Sequence, residues 1–195
     1  MSPATASATP AWSTRLIDQL GHSDQKAREL YSGLSPDQLN WQPDPTRWSM
    51  GQCLEHLAIT DEAYLPAISN SLAGHPASAV PDIGPGWFGR WFIRSFIRSF
   101  IEPSPQTKRA RAPKKIAPGS SVEPSVLDRF LRSNQAAREL IRRAQGYDVN
   151  RIRFKNPFLP MIRFTAGTGL VIICGHERRH LLQAERVFQS PGFPR

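Results

Sequence analysis

Apolar side chains recur at spacings of three and four along most of this chain, and this period constrains the fold more than any other feature. Residues 12–34 carry the pattern first. A second stretch begins at Ser49, where Gln52 three residues later completes a capping box. It continues past Pro66 to the Gly-His-Pro segment at residues 74–76. We expect Pro66 to kink or loosen this second helix.

Two further helical stretches follow a long connection. Residues 121–145 have an apolar stripe, and Gly146 then ends the helix. Near the C-terminus, residues 177–188 have a strong helical pattern, but residues 165–173 are rich in glycine and β-branched side chains and suit a strand equally well. These stretches predict an all-α fold, a four-helix bundle with one long crossover connection between helices 2 and 3.

The crossover, residues 75–121, holds most of the net charge. Residues 84–115 contain eight basic residues and one acidic residue, so +7 of the net charge of +9 lies there. Residues 90–101 repeat an Arg-x-Phe-Ile unit three times, and a period of four predicts a short amphipathic helix. A connection this long is typical of a functional lid or of a segment that spans the bundle.

The arginine side of this short helix has several interpretations. It could contact anionic lipid at a membrane surface, the phosphates of nucleic acid, or an acidic substrate under a lid. We favour a simpler arrangement, in which the Phe/Ile side packs over the bundle or into a homodimer partner while the arginines stay solvated. Nucleic acid is the weakest candidate, because no recognition motif accompanies the charge. The residues that would contact an anionic partner are Arg90, Arg94 and Arg98.

Three histidines are the strongest indication of chemistry. His176 and His180 are four residues apart, and on a helix this spacing places both side chains on one face. His56 lies 120 residues upstream in the second helix, and a bundle can bring it to the same point. Three neutral imidazoles and an open fourth position are the ligand set of a catalytic metal site. The alternatives are a core histidine at His56 and a solvated face at the other two.

Taken together, these segments resemble the DinB-like (YfiT-like) family of metal-dependent enzymes. Residues 48–56, Trp-Ser-Met-Gly-Gln-Cys-Leu-Glu-His, are similar to its first histidine motif. Residues 176–183, which begin His-Glu-Arg-Arg-His, are similar to its second motif on the last helix. Residues 112–118 and 153–158 resemble its crossover and pre-helix segments. The resemblance covers about residues 12–187.

The resemblance implies that one divalent metal, zinc or nickel, is bound by His56, His176 and His180. Family members with assigned activities are mostly transferases or isomerases that use low-molecular-weight thiols. We therefore expect a metal-dependent transferase or hydrolase that activates a metal-bound thiol or water and acts on a small-molecule substrate. Two alternatives remain open: a non-catalytic protein that binds metal or a small ligand, and a membrane-surface adaptor acting through the basic crossover.

Other residues have weaker claims to the site. Gln183 follows His180 by three residues on the same face, so its amide could orient that imidazole or a ligand, and a surface amide is the alternative. Cys53 is close to His56 in sequence, but a buried structural thiol is the better interpretation. Glu55 points away from His56, so we do not expect a general base there. Residues that could line a pocket, if they are not core, are Trp41, Trp48 and Asn134.

The chain length suits one domain, which we place at residues 12–190, after a disordered tail at residues 1–11. Cys53 and Cys174 lie among apolar neighbours and are expected to be reduced and buried. No apolar run approaches the ~20 residues that cross a bilayer. These features predict a cytoplasmic protein.

Overall fold

Four long helices form the predicted bundle. The computed structural model describes residues 9–98, 114–159 and 161–195. Helices α1 and α3 each pack against both α5 and α6, so each pair stands at opposite corners of the bundle. The all-α prediction is confirmed, and residues 1–8 of the predicted tail lie outside the description. The helices are α1 (Ala11–Tyr31), α2 (Pro36–Asn40), α3 (Met50–Leu72), α4 (Trp87–Phe92), α5 (Val126–Ala144) and α6 (Ala166–Phe188).

The first histidine helix, α3, begins where its capping box predicts. The Ser49 side chain accepts a hydrogen bond from the Gln52 amide, and the Gln52 side chain accepts one from the Ser49 amide. The helix continues through Pro66 to Leu72, and Gly74 then adopts a positive φ of 78°. A helix that starts at Ser49 places His56 in its second turn.

Two boundaries differ from the prediction. Helix α2 lies between the first two predicted helices, where no helix was predicted, and it has a capping box of its own formed by Ser35 and Gln38. Helix α5 begins at Val126, five residues later than expected. The reason for the later start is that the backbone of Val122 exchanges two hydrogen bonds with the side chain of Asn40, which holds it beside α2.

Of the ambiguous residues 165–173, residues 166–173 belong to helix α6, and Thr165 ends the strand before it. Thr165 also caps α6 by accepting a hydrogen bond from the Thr168 amide at 3.1 Å. Before it, β1 (Arg153–Lys155) and β2 (Arg163–Thr165) pair antiparallel. Gly169 explains why a weak helix former is used here: a Cβ at this position would come within 2.7 Å of the Phe154 ring and 2.8 Å of Ile68. The glycine lets α6 pack closely on the hairpin and on α3.

A polar layer crosses the bundle and divides its core into two apolar clusters. On each bundle helix, the two core residues that flank the polar layer are seven positions apart in sequence, and the polar side chains of the layer lie between them. These flanking pairs are Leu20 and Ala27, Leu57 and Tyr64, Phe130 and Ala137, and Cys174 and Leu181. The buried or half-buried members of the polar layer are Ser23, Asp24, Asp61, Ser133, Asn134 and Glu177.

The crossover packs its first helical segment against α6. Helix α4 continues as a π-helix, Ile93–Arg98, and the ring of Phe92 lies 5.0 Å from that of Phe164. Phe92 and Ile93 are half-buried while Arg90 and Arg94 are exposed, so the described part is amphipathic as predicted. Residues 99–101 of the predicted helix and the side chain of Arg98 lie outside the described residues. In the described ranges, no helix has the length and apolarity to cross a membrane.

Candidate metal centre

His56 on α3 meets His176 and His180 on α6, as the bundle topology predicts. One nitrogen from each ring lies within 4.8 Å of the other two, and the Nε2 atoms of His56 and His176 are 3.2 Å apart. The ring centroids are separated by 4.6 to 5.0 Å. His56 and His180 are buried, whereas His176 is half-buried. The three rings therefore form a cluster that could hold a metal ion.

Hydrogen bonds fix the orientation of two of these rings. The Nδ1–H of His56 donates to the carbonyl of Ile116 at 2.7 Å, and the Nδ1–H of His180 donates to Oε1 of Gln183 at 3.0 Å. The assignment follows from the carbonyl and amide oxygens, which can only accept. In neutral rings with Nδ1 protonated, Nε2 carries a lone pair. Both lone pairs are thus available at the centre of the cluster.

The protonation states also suit a metal. Burial lowers the pKa of His56 to about 4, partly opposed by the Ile116 carbonyl. Burial lowers the pKa values of His176 and His180 well below the ordinary value, and the neighbouring histidines and Arg179 lower them further. Metal ligation requires neutral imidazoles. All three rings are therefore neutral at pH 7 before any ion arrives.

The distance between the Nε2 atoms of His56 and His176 matches that between two ligands of a tetrahedral ion. With metal–nitrogen bonds of about 2.0–2.1 Å, two ligands of a tetrahedral zinc site lie roughly 3.3 Å apart. The observed separation between His56 and His176 is 3.2 Å. The donor set and the spacing of this one pair thus fit a metal ion, and the three nitrogens all lie within 4.8 Å of one another.

Of the three predicted pocket residues, Trp48 reaches the histidines. Its ring stacks on His180 with centroids 5.6 Å apart and an interplanar angle of 29°, and it lies 4.8 Å from the ring of His56. Trp41 instead packs edge-on against Phe193, at 5.5 Å. Asn134 lies in the polar layer, where its amide donates to Asp24. The half-buried Trp48 gives the centre one apolar wall.

The two cysteines are free and buried, as predicted. Cys53 is fully buried within the apolar cluster that contains Leu54 and Leu57. Burial raises the pKa of both thiols above the ordinary value. A buried thiol with a raised pKa is a poor nucleophile and a poor metal ligand at neutral pH. Glu55 accepts a hydrogen bond from the Gly119 amide, in keeping with the expectation that it is not a general base.

Glu177 contradicts the solvated-face alternative for the second histidine motif. Its side chain is fully buried in the polar layer, although Arg178 beside it is exposed. Burial and the nearby Asp61 raise the pKa of Glu177 well above the ordinary value. The nearby side chains of Ser23 and Asn134 partly oppose this rise of the Glu177 pKa. In α1 and α6, the six residues between these flanking core positions contain no apolar side chain, and this was the sequence signal for the layer.

Of the crossover arginines, Arg90 and Arg94 have described side chains, and neither contacts the histidine cluster in the described part of the chain. Arg90 donates to the carbonyl of Pro85 at 2.9 Å, and Arg94 is exposed. Two tryptophans accompany them on α4: Trp87 is 76% exposed and Trp91 is 45% exposed. Contact of Arg90, Arg94 and Arg98 with an anionic partner stays a prediction.

Comparison with known proteins identifies the family. The model of the DinB superfamily matches residues 19–184, a span that includes the three histidines, Gln183 and the whole crossover. No curated protein and no solved structure matches the chain. With most of its length matched, and with the bundle and histidine cluster described above, the chain belongs to the DinB superfamily.

Proposed function

We propose that this protein is a metal-dependent enzyme in which His56, His176 and His180 bind one divalent ion, zinc or nickel, and that it catalyses a thiol-dependent transfer. One observation carries the proposal: three neutral imidazoles converge, with one nitrogen from each within 4.8 Å of the others. When bound, an ion with three neutral ligands lowers the pKa of a coordinated thiol or water, to roughly 7 for water on zinc.

The chain's own residues favour a small thiol as co-substrate. Cys53 and Cys174 are buried and have raised pKa values, so neither supplies the nucleophile. Glu55 is occupied by the Gly119 amide. The nucleophile would then come from outside the chain, and His176 and Trp48 are the half-buried members of the cluster that it could approach. A thiol that loses its proton at this centre can attack an electrophilic small molecule.

The metal is tested first. Purified wild-type protein is expected to contain close to one zinc or nickel per chain by plasma mass spectrometry. His56→Ala and His180→Ala are expected to lose it, because each removes one of three ligands. His22→Ala is the matched control, since His22 is exposed on α1, away from the cluster. A wild-type protein without metal after reconstitution would overturn the proposal.

The thiol is tested separately. In cobalt-substituted protein, a small thiol that binds the ion is expected to change the visible absorption spectrum, and His180→Ala is expected to abolish the change. Turnover of electrophilic substrates with that thiol, lost in His180→Ala, would support the enzyme. Metal binding with no response to any thiol and no turnover would favour the alternative, a non-catalytic protein that binds metal or a small ligand.

A second candidate function uses the surface of α4. Exposed Trp87 and Trp91 beside Arg90 and Arg94 are the residue types of an interfacial helix, with aromatic rings at the headgroup level and cations toward anionic lipid. Binding to liposomes containing anionic lipid, lost when Arg90, Arg94 and Arg98 are changed to glutamate, would support a membrane-surface adaptor. Equal sedimentation with neutral and anionic liposomes would contradict it.

A further inference from the structure

The segment that ends the crossover is bonded to the same turn of α3 that carries His56. Gln52 donates from Nε2 to the carbonyl of Gly119 at 2.8 Å, and the amide of Gly119 donates to Oε2 of Glu55 at 2.7 Å. His56 donates to the carbonyl of Ile116 at 2.7 Å. Positions 55 and 56 lie three and four residues after position 52, so both side chains neighbour that of Gln52 on the helix surface. Three adjacent side chains thus hold one short loop.

The loop from Ile116 to Gly119 is bonded to α3 at both of its ends. Both backbone polar groups of Gly119 are occupied by α3, and the side chain of Ile116 is 7% exposed. Pro118, between them, fixes one backbone torsion. The distance from Ile116 to Gly119 is only three residues, so the position of the Ile116 carbonyl depends on where Gly119 is held. That carbonyl in turn selects which nitrogen of His56 is protonated.

We propose that Glu55 is a positioning residue for the metal centre, which holds the Gly119 amide so that the Ile116 carbonyl keeps Nε2 of His56 turned toward His176 and His180. This inference rests on the proposed function, in which the three histidines bind an ion. It assigns a role to a carboxylate that does not touch the ion. It also makes the end of the basic crossover part of the metal site.

Without Glu55, the Gly119 amide loses its acceptor and only the bond from Gln52 to the Gly119 carbonyl remains, so the Ile116 carbonyl is held less firmly. Nδ1 of His56 then loses its fixed partner, and the ring can place an N–H where the ion needs a lone pair. Partners of this kind, which orient a ligand without touching the metal, typically change metal affinity 10- to 100-fold when removed. The same loosening is expected in the metal-free protein.

Zinc affinity, measured by competition with a chromophoric chelator, tests this on four proteins. Glu55→Ala is expected to weaken binding 10- to 100-fold, because no acceptor for Gly119 remains. Glu55→Gln is expected to stay close to wild type, because its amide oxygen still accepts from Gly119. Glu62→Ala is the matched control. Glu62 forms an ion pair with Arg129 at 2.6 Å, and Arg129 also lies 3.9 Å from Glu55. Among the described residues, Glu62 itself does not bond to the loop.

A measurement on metal-free protein separates positioning from a general loss of stability. With labelled histidine, nuclear magnetic resonance is expected to show His56 protonated at Nδ1 in wild type and in Glu55→Gln, and a mixture of tautomers in Glu55→Ala. The Gly119 amide is expected to exchange faster in Glu55→Ala alone. Glu55→Met, of similar length but without an oxygen, repeats the test if the alanine variant folds poorly.

The outcomes distinguish this inference from the proposed function. If His56→Ala binds zinc as wild type does, the three-histidine site is wrong. If His56→Ala loses zinc but Glu55→Ala and Glu55→Met both retain wild-type affinity and the Nδ1-protonated tautomer, the site stands and Glu55 has no positioning role. Equal weakening in Glu55→Ala and Glu62→Ala would also overturn it, because only the shared Arg129 would then be responsible.

Discussion

The Nε2 atoms of His56 and His176 lie 3.2 Å apart across the interface between α3 and α6, although the two residues are separated by 120 positions in sequence. In the metal-free protein, a neutral His176 with its proton on Nε2 can donate to the lone pair of His56 at this distance, and a bound cation would take the place of that proton. Formation of the bundle alone creates this arrangement. A cation is therefore expected to stabilise the folded protein, and this can be measured without knowing the reaction.

Added zinc is expected to raise the thermal midpoint of the metal-free protein. At a free zinc concentration 100 times the dissociation constant, linkage adds about 2.7 kcal/mol to the free energy of unfolding. For a domain of this size, that corresponds to a rise of roughly 5–10 °C. The gain is expected to vanish in His180→Ala and to persist in His22→Ala. Differential scanning fluorimetry with and without chelator makes the comparison, and an equal gain in His180→Ala would contradict a site at this cluster.

Asp61 is expected to make stability fall as pH rises. Its carboxyl is fully buried in the polar layer, and burial raises its pKa to about 8. Because the folded protein holds this proton while the unfolded chain releases it near pH 4, the contribution is complete below pH 4 and is lost as pH rises toward 8.

The variant Asp61→Asn cannot lose a proton, and it also removes the contribution of Asp61 to the raised pKa of Glu177. Between pH 5 and 7, the unfolding free energy of wild type is expected to fall relative to that of Asp61→Asn by at most about 1.4 kcal/mol per pH unit. Urea unfolding at several pH values gives the two slopes. Parallel slopes would show that Asp61 titrates alike in both states.

Two glycines in long helices are expected to respond oppositely to alanine. A Cβ at Gly169 would meet Phe154 and Ile68 at 2.7 and 2.8 Å, so Gly169→Ala is expected to destabilise the protein by about 1–3 kcal/mol. A Cβ at Gly21 would meet nothing within 4 Å, and Gly21→Ala is expected to stabilise it by about 0.5–1 kcal/mol. Chemical denaturation measures both. A stabilising Gly169→Ala would mean that the packing of α6 on the hairpin is looser than described.

The two thiols are expected to react slowly in the folded protein. Cys53 is 0% exposed and Cys174 is 4% exposed, and burial raises the pKa of each. A chromogenic disulfide reagent at pH 8 is therefore expected to label neither until the protein unfolds, and both afterwards in urea. Rapid labelling of Cys53 in native protein would reopen the possibility that it acts at the metal centre.

Much of the bundle could be predicted from sequence because its signals are local. The capping box at Ser49 and Gln52 fixes the start of α3, and the spacing of His176 and His180 places them on one face of α6. The link from these to His56 came from the resemblance and the expected topology. The distance between His56 and the two histidines of α6 depends on how α3 packs against α6.

The signals that were missed depend on neighbours distant in sequence. Residues 165–173 look like a strand by propensity, but close packing around Gly169 makes residues 166–173 helix. The hairpin strands have three residues each, too few to show alternation. Val122 lies outside α5, although the prediction included it, because Asn40, which is distant in sequence, forms hydrogen bonds with its backbone. Glu177 looks solvated beside two arginines, and only the polar layer explains its burial.

The polar layer also fixes the register of the helices along the bundle axis. Each bundle helix contributes one polar step between two core residues seven apart, so a shift of any helix by one turn would place a carboxyl or amide against hydrocarbon. Asp61 is five residues from His56, and Glu177 is adjacent to His176. Side chains outside the histidine cluster thus set the height along the bundle at which His56 of α3 meets His176 and His180 of α6.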